Sequence, residues 1–409
     1  MKKTFVFCAV AILSLMMFSC SSSGTRSEYD GVDKGLIASL YAGNRLQKMQ
    51  AFIMDISNRA KESKRNFLII PQDGIDLAFT DGVLDPNMMK AVDGWGIEEI
   101  VDSSGPANED EQKYIKVKSF GKTVTVTDDC SSATLAAYIA RCKSFGFLPF
   151  PRSDGSLGKF NHEYYFVVDP AINGVADTVH SEDVTTISAV KNYLYLINPG
   201  QYGWWPDWQA ELDDGDTWRI DEEGDPFRIN GQWWWVAKGY KKNTGRAQYL
   251  KDLKASNYDM LYIDAFFEDD SPLTKAEVSS LKTKANGGKR LVIAYMNVGA
   301  AEPWRYYFES KIGEFDWDNP NDIRGRLTGS DNDPAGYTPN PGAKVWMAFG
   351  YGGQYSEETV VAWEHQEWRN IIYDYLKKII AAGFDGVYLD NVGVYDRPGW
   401  VFYDAYIKK

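Results

Sequence analysis

Eight short apolar runs, each closing on polar or turn-forming residues, constrain most strongly what this chain can fold into. They are FLIIP (67–71), GIEEIV (96–101), FGFLPF (145–150), NYLYLIN (192–198), YDMLYID (258–264), RLVIAYMNVG (290–299), KVWMAFG (344–350) and FDGVYLD (384–390). Near-continuous apolar runs of this length suit strands buried on both faces, which are the parallel strands of α/β folds. Segments with helical spacing of apolar residues lie between many of them, at 130–143, 273–286 and 363–382. A longer one precedes the first run, with Leu36, Leu40, Leu46, Met49, Phe52, Ile53 and Ile56 recurring at helical intervals, and reads as one long amphipathic helix or a pair. This alternation predicts an α/β fold, a single (β/α)8 TIM-type barrel. An open doubly wound sheet is the alternative, but no GxGxxG or Walker A sequence follows any run, which removes its usual nucleotide-binding form. The polar stretches 102–129, 151–190, 203–250 and 315–343 are expected to be loop insertions, with a small β layer in EYYFVVD and QWWWVAK.

The chain begins MKKTFVFCAVAILSLMMFSC, two lysines ahead of one apolar run that ends at Cys20. The run is shorter than the roughly 20 apolar residues a membrane-spanning helix needs, so it reads as a signal peptide. Cys20 after Ser19 resembles a bacterial lipobox, in which the thiol is lipidated and the Cys becomes the new N-terminus. The expected organisation is signal peptide 1–20, flexible Ser/Gly/Asp-rich tether 21–34 and barrel 35–409. The protein is then exported and lipid-anchored to the bacterial outer membrane, on its periplasmic or cell-surface face. Cys130 and Cys142 are the cysteines left in the mature chain. A helix between them would hold them roughly 18 Å apart, beyond disulfide reach, so both are expected to be buried or idle thiols.

A net charge of −13 argues against a nucleic-acid partner, because phosphate binding needs clustered Lys and Arg. The expected contact with membrane is through the lipid anchor only. Aromatic residues make up 14% of the chain, and many of its 14 Trp stand in polar company, as flat faces for sugar rings do. The three His residues, His162, His180 and His365, lie far apart in sequence, so neither a zinc site nor a Ser-His-Asp triad is expected, and no metal or organic cofactor.

In a parallel barrel the site forms at the C-terminal ends of the strands, so the residues that close each run matter most. YDMLYID closes on Asp264 and FDGVYLD on Asp390, while GIEEIV carries Glu98 and Glu99. Beyond RLVIAYMNVG stand Glu302 and Arg305, an acid with a cation able to hold it ionised. Two carboxylates facing one substrate are what glycoside hydrolysis needs. Each also has a plainer reading: a strand-end Asp often caps a helix, and Glu302 with Arg305 is equally an ordinary ion pair.

AYMNVGAAEPWRYYF, AGFDGVYLDNVGVYD and NYDMLYIDAF resemble the central motifs of the family 114 glycoside hydrolases, the endo-α-1,4-polygalactosaminidases, and of their bacterial and archaeal relatives once labelled cysteinyl-tRNA synthetase-related. FLIIPQDGIDL and AVDGWGIEEIV resemble that family's last motifs, yet here they come first. The resemblance therefore implies a circularly permuted barrel in which the strand near 67 lies beside the strand ending at Asp390. It implies that Asp390 and Glu98 form the catalytic pair, with Asp390 favoured as nucleophile and Glu98 as acid/base. Asp264, Tyr295, Glu302, Arg305 and Asn391 are the implied substrate-binding residues. Three positions depart from the pattern: Asp73 stands where relatives tend to have Asn, Ala300 replaces an acid, and Gly393 stands where an Asp usually follows. The expected function is a glycoside hydrolase cleaving an α-linked polysaccharide, with galactosamine as the candidate sugar. The rival is a non-catalytic carbohydrate-binding lipoprotein on the same barrel, which the changes at Ala300 and Gly393 favour. Polysaccharide deacetylation, which would need a metal site, is the weakest alternative.

Overall fold

The computed structural model describes residues 31–98, 106–131, 133–152, 181–198, 228–229, 232–233, 244–267, 271–302, 305–307, 347–350, 359–361 and 363–396. Cys20, the signal peptide, Glu99, EYYFVVD, His162 and His180 lie outside them. The described residues belong to one compact unit, Gly31–Lys409. Within the stretch read as a tether, Val32 is buried, and its N–H and C=O both bond the Asn58 side chain, at 2.9 and 2.7 Å.

Two all-parallel sheets form the centre. We label their strands β1 (Leu68–Pro71), β2 (Gly94–Glu98), β3 (Thr123–Asp129), β4 (Leu148–Arg152), β5 (Tyr193–Leu196), β6 (Met260–Asp264), β7 (Leu291–Asn297) and β8 (Gly386–Asp390). One sheet has the order β1-β8-β7-β6-β5, the other β2-β3-β4. The first strand pairs with the last, Leu68 opposite Gly386 through Pro71 opposite Leu389, so segments over 300 residues apart in sequence lie side by side. A parallel bridge from Gln72 to Gly96 joins β1 to β2. At the other edge the Phe150 ring of β4 lies 5.5 Å from Tyr193 and 6.5 Å from Tyr195 of β5. The helices are α1 (Lys34–Tyr41), α2 (Arg45–Ser63), α3 (Pro86–Ala91), α4 (Glu109–Ser119), α5 (Leu135–Phe145), α6 (Thr244–Lys254), α7 (Lys275–Leu281) and α8 (Gln366–Ala382).

One of the eight runs behaves otherwise than expected, and a segment outside the set supplies a parallel strand in its stead. KVWMAFG does not supply a parallel strand: Met347–Gly350 pairs antiparallel with Thr359–Val361, which also pairs with Ala300–Ala301 in a small separate sheet. The strand missing from the expected set is β3, TVTVTDD, inside a stretch expected to be an insertion, and α4 precedes it there. Alternating Thr and Val reads as a half-polar strand, yet Thr123, Thr125 and Thr127 are all buried. Thr125 and Thr127 place their hydroxyls 3.3 and 3.0 Å from those of Tyr262 and Tyr193 on the other sheet. Gln232–Trp233 does form a small hairpin, with Arg228–Ile229.

The helices start and stop where the sequence provides caps. Asn44 and Gln47 form a reciprocal capping box on α2, and Asn108 with Glu111 does the same for α4. α8 ends at Gly383, whose φ of 95° suits the left-handed cap that glycine adopts without strain. α2 buries Met49, Phe52, Ile53 and Ile56 completely, each worth about 1.5–3 kcal/mol of transfer free energy. Phe52 meets Tyr373 of α8 edge-on at 6.0 Å, so the helix before β1 packs on the helix before β8 and reinforces that strand pairing. Cys130 and Cys142 are both buried.

Candidate active site

Register partners in a parallel sheet share a face, and alternate residues of a strand return to it. Asp264 pairs with Tyr295, Tyr295 with Tyr388, and Asn297 with Asp390, so all five side chains belong to one face. Gln72 follows Pro71 on β1 and bridges to Gly96, two residues before Glu98, which brings Gln72 and Glu98 to that face as well. Asp390 and Glu98, from opposite ends of the sequence, thus close neighbouring parts of one surface. Beneath them lies a floor of tyrosines: Tyr388 sits 4.4 Å from Tyr262 and 5.7 Å from Tyr195, between ring centroids. Gly96 makes room for it, because a Cβ there would clash with the Tyr388 hydroxyl and the adjoining ring edge.

Each of the two acids accepts one short tyrosine hydrogen bond. Tyr295 Oη donates to Asp390 Oδ2 at 2.6 Å, and Tyr195 Oη donates to Glu98 Oε1 at 2.6 Å. Asn391, held at φ 58°, turns its backbone N–H onto Asp390 Oδ1 at 2.6 Å, so this residue supports Asp390 directly. Burial and the charge of Glu98 nevertheless push Asp390 up to about 7, against the lowering effect of Tyr295 and the Asn391 N–H. Arg152, at the end of β4, bonds Asp129 at 2.9 Å, and the Glu98 carboxylate is the strongest influence holding its guanidinium charged against burial. A cation therefore faces Glu98, while Asp390 has tyrosine and amide partners.

Asp264, Glu302 and Arg305 form a separate, fully buried cluster, at 6%, 2% and 3% exposure, whereas Asp390 and Glu98 are only partly buried. Arg305 bonds Glu302 through two nitrogens, at 2.7 and 3.1 Å, and reaches Asp264 Oδ1 at 2.7 Å. Burial raises both acids and the guanidinium opposes it. Arg305 also lies over the Tyr295 ring, 5.9 Å from its centroid. The triplet thus backs the tyrosine that holds Asp390.

Asp73 is a third acid here. Its φ of 53° is a conformation few non-glycine residues adopt, Asp and Asn among them. Its Oδ1 accepts the Glu98 N–H at 3.1 Å, and its backbone is pinned by Gly96 O and by Trp95 Nε1. Burial and the charges of Glu98 and Asp390 push it up to about 8. Of the two positions expected to have lost an acid, Ala300 is buried with its N–H on Asn297 Oδ1. At Gly393 a Cβ would meet nothing nearer than Gly74 Cα at 4.0 Å, so packing does not forbid a side chain there. Among the described residues no group of three or more His, Cys, Asp or Glu is placed to hold a metal ion.

Sequence reasoning missed Tyr195, Arg152 and the tyrosine floor. The alternating tyrosines of NYLYLIN and NYDMLYID carried a signal for the floor. Nothing in the sequence marks Arg152, because its neighbour Glu98 reaches it only through the joining of two strands that each pair with β3.

Residues 227–405 match the model of Glycoside-hydrolase family GH114. The chain is also similar to three uncharacterized proteins. That of Deinococcus radiodurans is 29% identical over 150 residues, 36% of this chain and 37% of the relative. That of Methanocaldococcus jannaschii is 29% identical over 147 residues, covering 36% and 34%. That of Thermotoga maritima is 25% identical over 145 residues, 36% of each. The match spans about a third of each relative's length.

Proposed function

We propose that this chain, a family 114 glycoside hydrolase-like protein, is a glycosidase that cleaves an α-linked, galactosamine-containing polysaccharide with Asp390 and Glu98 as its carboxylate pair. The observation that carries the reading is the pair itself: two acids on one face, each with a 2.6 Å tyrosine hydrogen bond, and the charge of one raising the other. Two carboxyls on one face, one of them raised toward neutrality, are what acid-assisted glycoside cleavage uses.

The charge environment favours roles opposite to those expected from the sequence. Asp390, pushed up to about 7, keeps a proton near neutrality and gives it to the glycosidic oxygen as the bond breaks. Glu98, on which the Arg152 charge acts, is the carboxylate placed to stabilise the positive charge that develops at the anomeric carbon. Water then bonds to the anomeric carbon and gives its released proton to Asp390, which restores the starting acid. Asp264, Glu302 and Arg305 hold Tyr295, and through it Asp390, in place.

The same proposal includes the architecture. The Gln72–Gly96 bridge and the Phe150 contacts with Tyr193 and Tyr195 support closure of the two sheets into one eight-stranded barrel. The pairing of β1 with β8 supports closure too, and the proposed circular permutation of the family's order rests on the place of the motifs at 67–101 ahead of those at 258–396. A crystal structure with the β4 backbone hydrogen-bonded to β5 would establish closure; an open gap there would refute it. Moving residues 31–101 behind residue 409 should leave a folded protein if the permutation is right.

The activity is tested by incubating the mature protein with galactosamine polymers and mucin-type glycans and weighing the products by mass spectrometry. A ladder of oligosaccharides is expected. Retention of glycan with no release would instead favour the binding-protein reading.

A further inference from the structure

Asp73 is placed in the site at a conformational cost, in a left-handed turn pinned by three hydrogen bonds, with its carboxyl between two other acids. The charged groups around it are Glu98 of β2 and Asp390 of β8, with the hydroxyls of Tyr114 on α4 and Tyr388 on β8 also within electrostatic reach. Beside it Gln72 is 5% exposed, its side chain hydrogen-bonded to Asp73, yet Gln72 Oε1 has no partner. A buried carbonyl oxygen without a donor is destabilising, and oxygen and nitrogen of an amide are interchangeable in shape. Turning the Gln72 amide over brings Oε1 to the neighbouring carboxyl, which donates to it when it carries a proton.

We infer that Asp73 is a positioning residue that works in its protonated form, accepting the Glu98 N–H with one oxygen and donating through the other to Gln72 Oε1. A neutral carboxyl holds the backbone of Glu98 without adding a third negative charge to the pair. An ionised one would repel both acids. This rests on the reading of Glu98 and Asp390 as the working pair, but its physical core is independent of any activity.

The sign follows from linkage. An acid raised from 3.8 to about 8 on folding stabilises the native state fully below the lower value, and that contribution fades as pH rises through the upper one. Across that window the unfolding constant of the wild-type chain should grow by up to about tenfold per pH unit relative to Asp73→Asn. Asn reproduces the protonated acid, since its oxygen accepts from Glu98 and its amide donates to Gln72.

The test measures thermal and denaturant unfolding of the mature protein, Asp73→Asn and Asp73→Ala at pH 4.5 and pH 8. Asp73→Asn should be more stable than wild type at pH 8 and lose that advantage at pH 4.5. Asp73→Ala should be the least stable of the three at pH 4.5, because it drops both hydrogen bonds. Parallel stability curves for wild type and Asp73→Asn, or an Asn variant as weak as the Ala variant at both pH values, would overturn the inference. Where glycan cleavage is measured, Asp73→Asn should keep a larger fraction of its maximal rate at pH 8.5 than wild type. Superimposable pH profiles would count against the positioning role. If no glycan is cleaved but the stability pattern appears, the hydrolase reading fails and the protonation of Asp73 stands.

Discussion

Tyr295 on β7 and Asp390 on β8 stand diagonally across adjacent parallel strands, joined by a 2.6 Å hydrogen bond from Oη to Oδ2. This bond favours the ionised acid and so opposes the rise that burial imposes. Replacing Tyr295 with Phe should raise Asp390 further. Because a raised acid loses its stabilising contribution as pH climbs through its folded value, the variant should be weaker than wild type by about 1.5–3 kcal/mol at pH 8 and by less at pH 4. Denaturant unfolding at the two pH values checks this; equal losses would mean that the bond does not couple to the proton.

Asp390→Asn and Glu98→Gln should each cut release from a natural polymer by roughly 10²-fold or more. The double variant should be little worse than the poorer single one, since members of one catalytic unit are not additive. An aryl glycoside with a good leaving group separates the roles, because it needs little protonation. Asp390→Asn should keep more activity on it than Glu98→Gln does, and the opposite ranking would restore Asp390 as nucleophile.

Arg305 neutralises two buried acids at once. Arg305→Met should cost about 3–5 kcal/mol of stability, as expected when one partner of a buried ion pair is removed. Adding Asp264→Asn and Glu302→Gln should recover much of that loss. A single variant within 1 kcal/mol of wild type, about the ceiling for an exposed pair, would mean that the cluster is hydrated rather than buried.

Anchoring is tested by growing cells with labelled palmitate. Wild-type protein should incorporate label and fractionate with the outer membrane, whereas Cys20→Ser should do neither. Label persisting on the variant would refute the lipobox reading.

The sequence alone determined those features that depend on near neighbours. The strands at 67–71, 258–264, 290–299 and 384–390 were legible because burial on both faces demands an unbroken apolar run. The helix at 366–382 was legible because a buried stripe demands helical spacing. The acids at strand ends were legible because parallel strands present their C-terminal ends together. Tertiary structure decided the rest. β3 escaped because its threonines find hydroxyl partners on the other sheet, so a strand that reads as half-polar is buried throughout. KVWMAFG misled because an apolar run carries no direction, and the strand in it pairs antiparallel outside the central sheets. The raised proton affinity of Asp390 and the Arg152 charge acting on Glu98 arise between residues tens to hundreds of positions apart. Burial and charge act through space, so only the folded chain could set them.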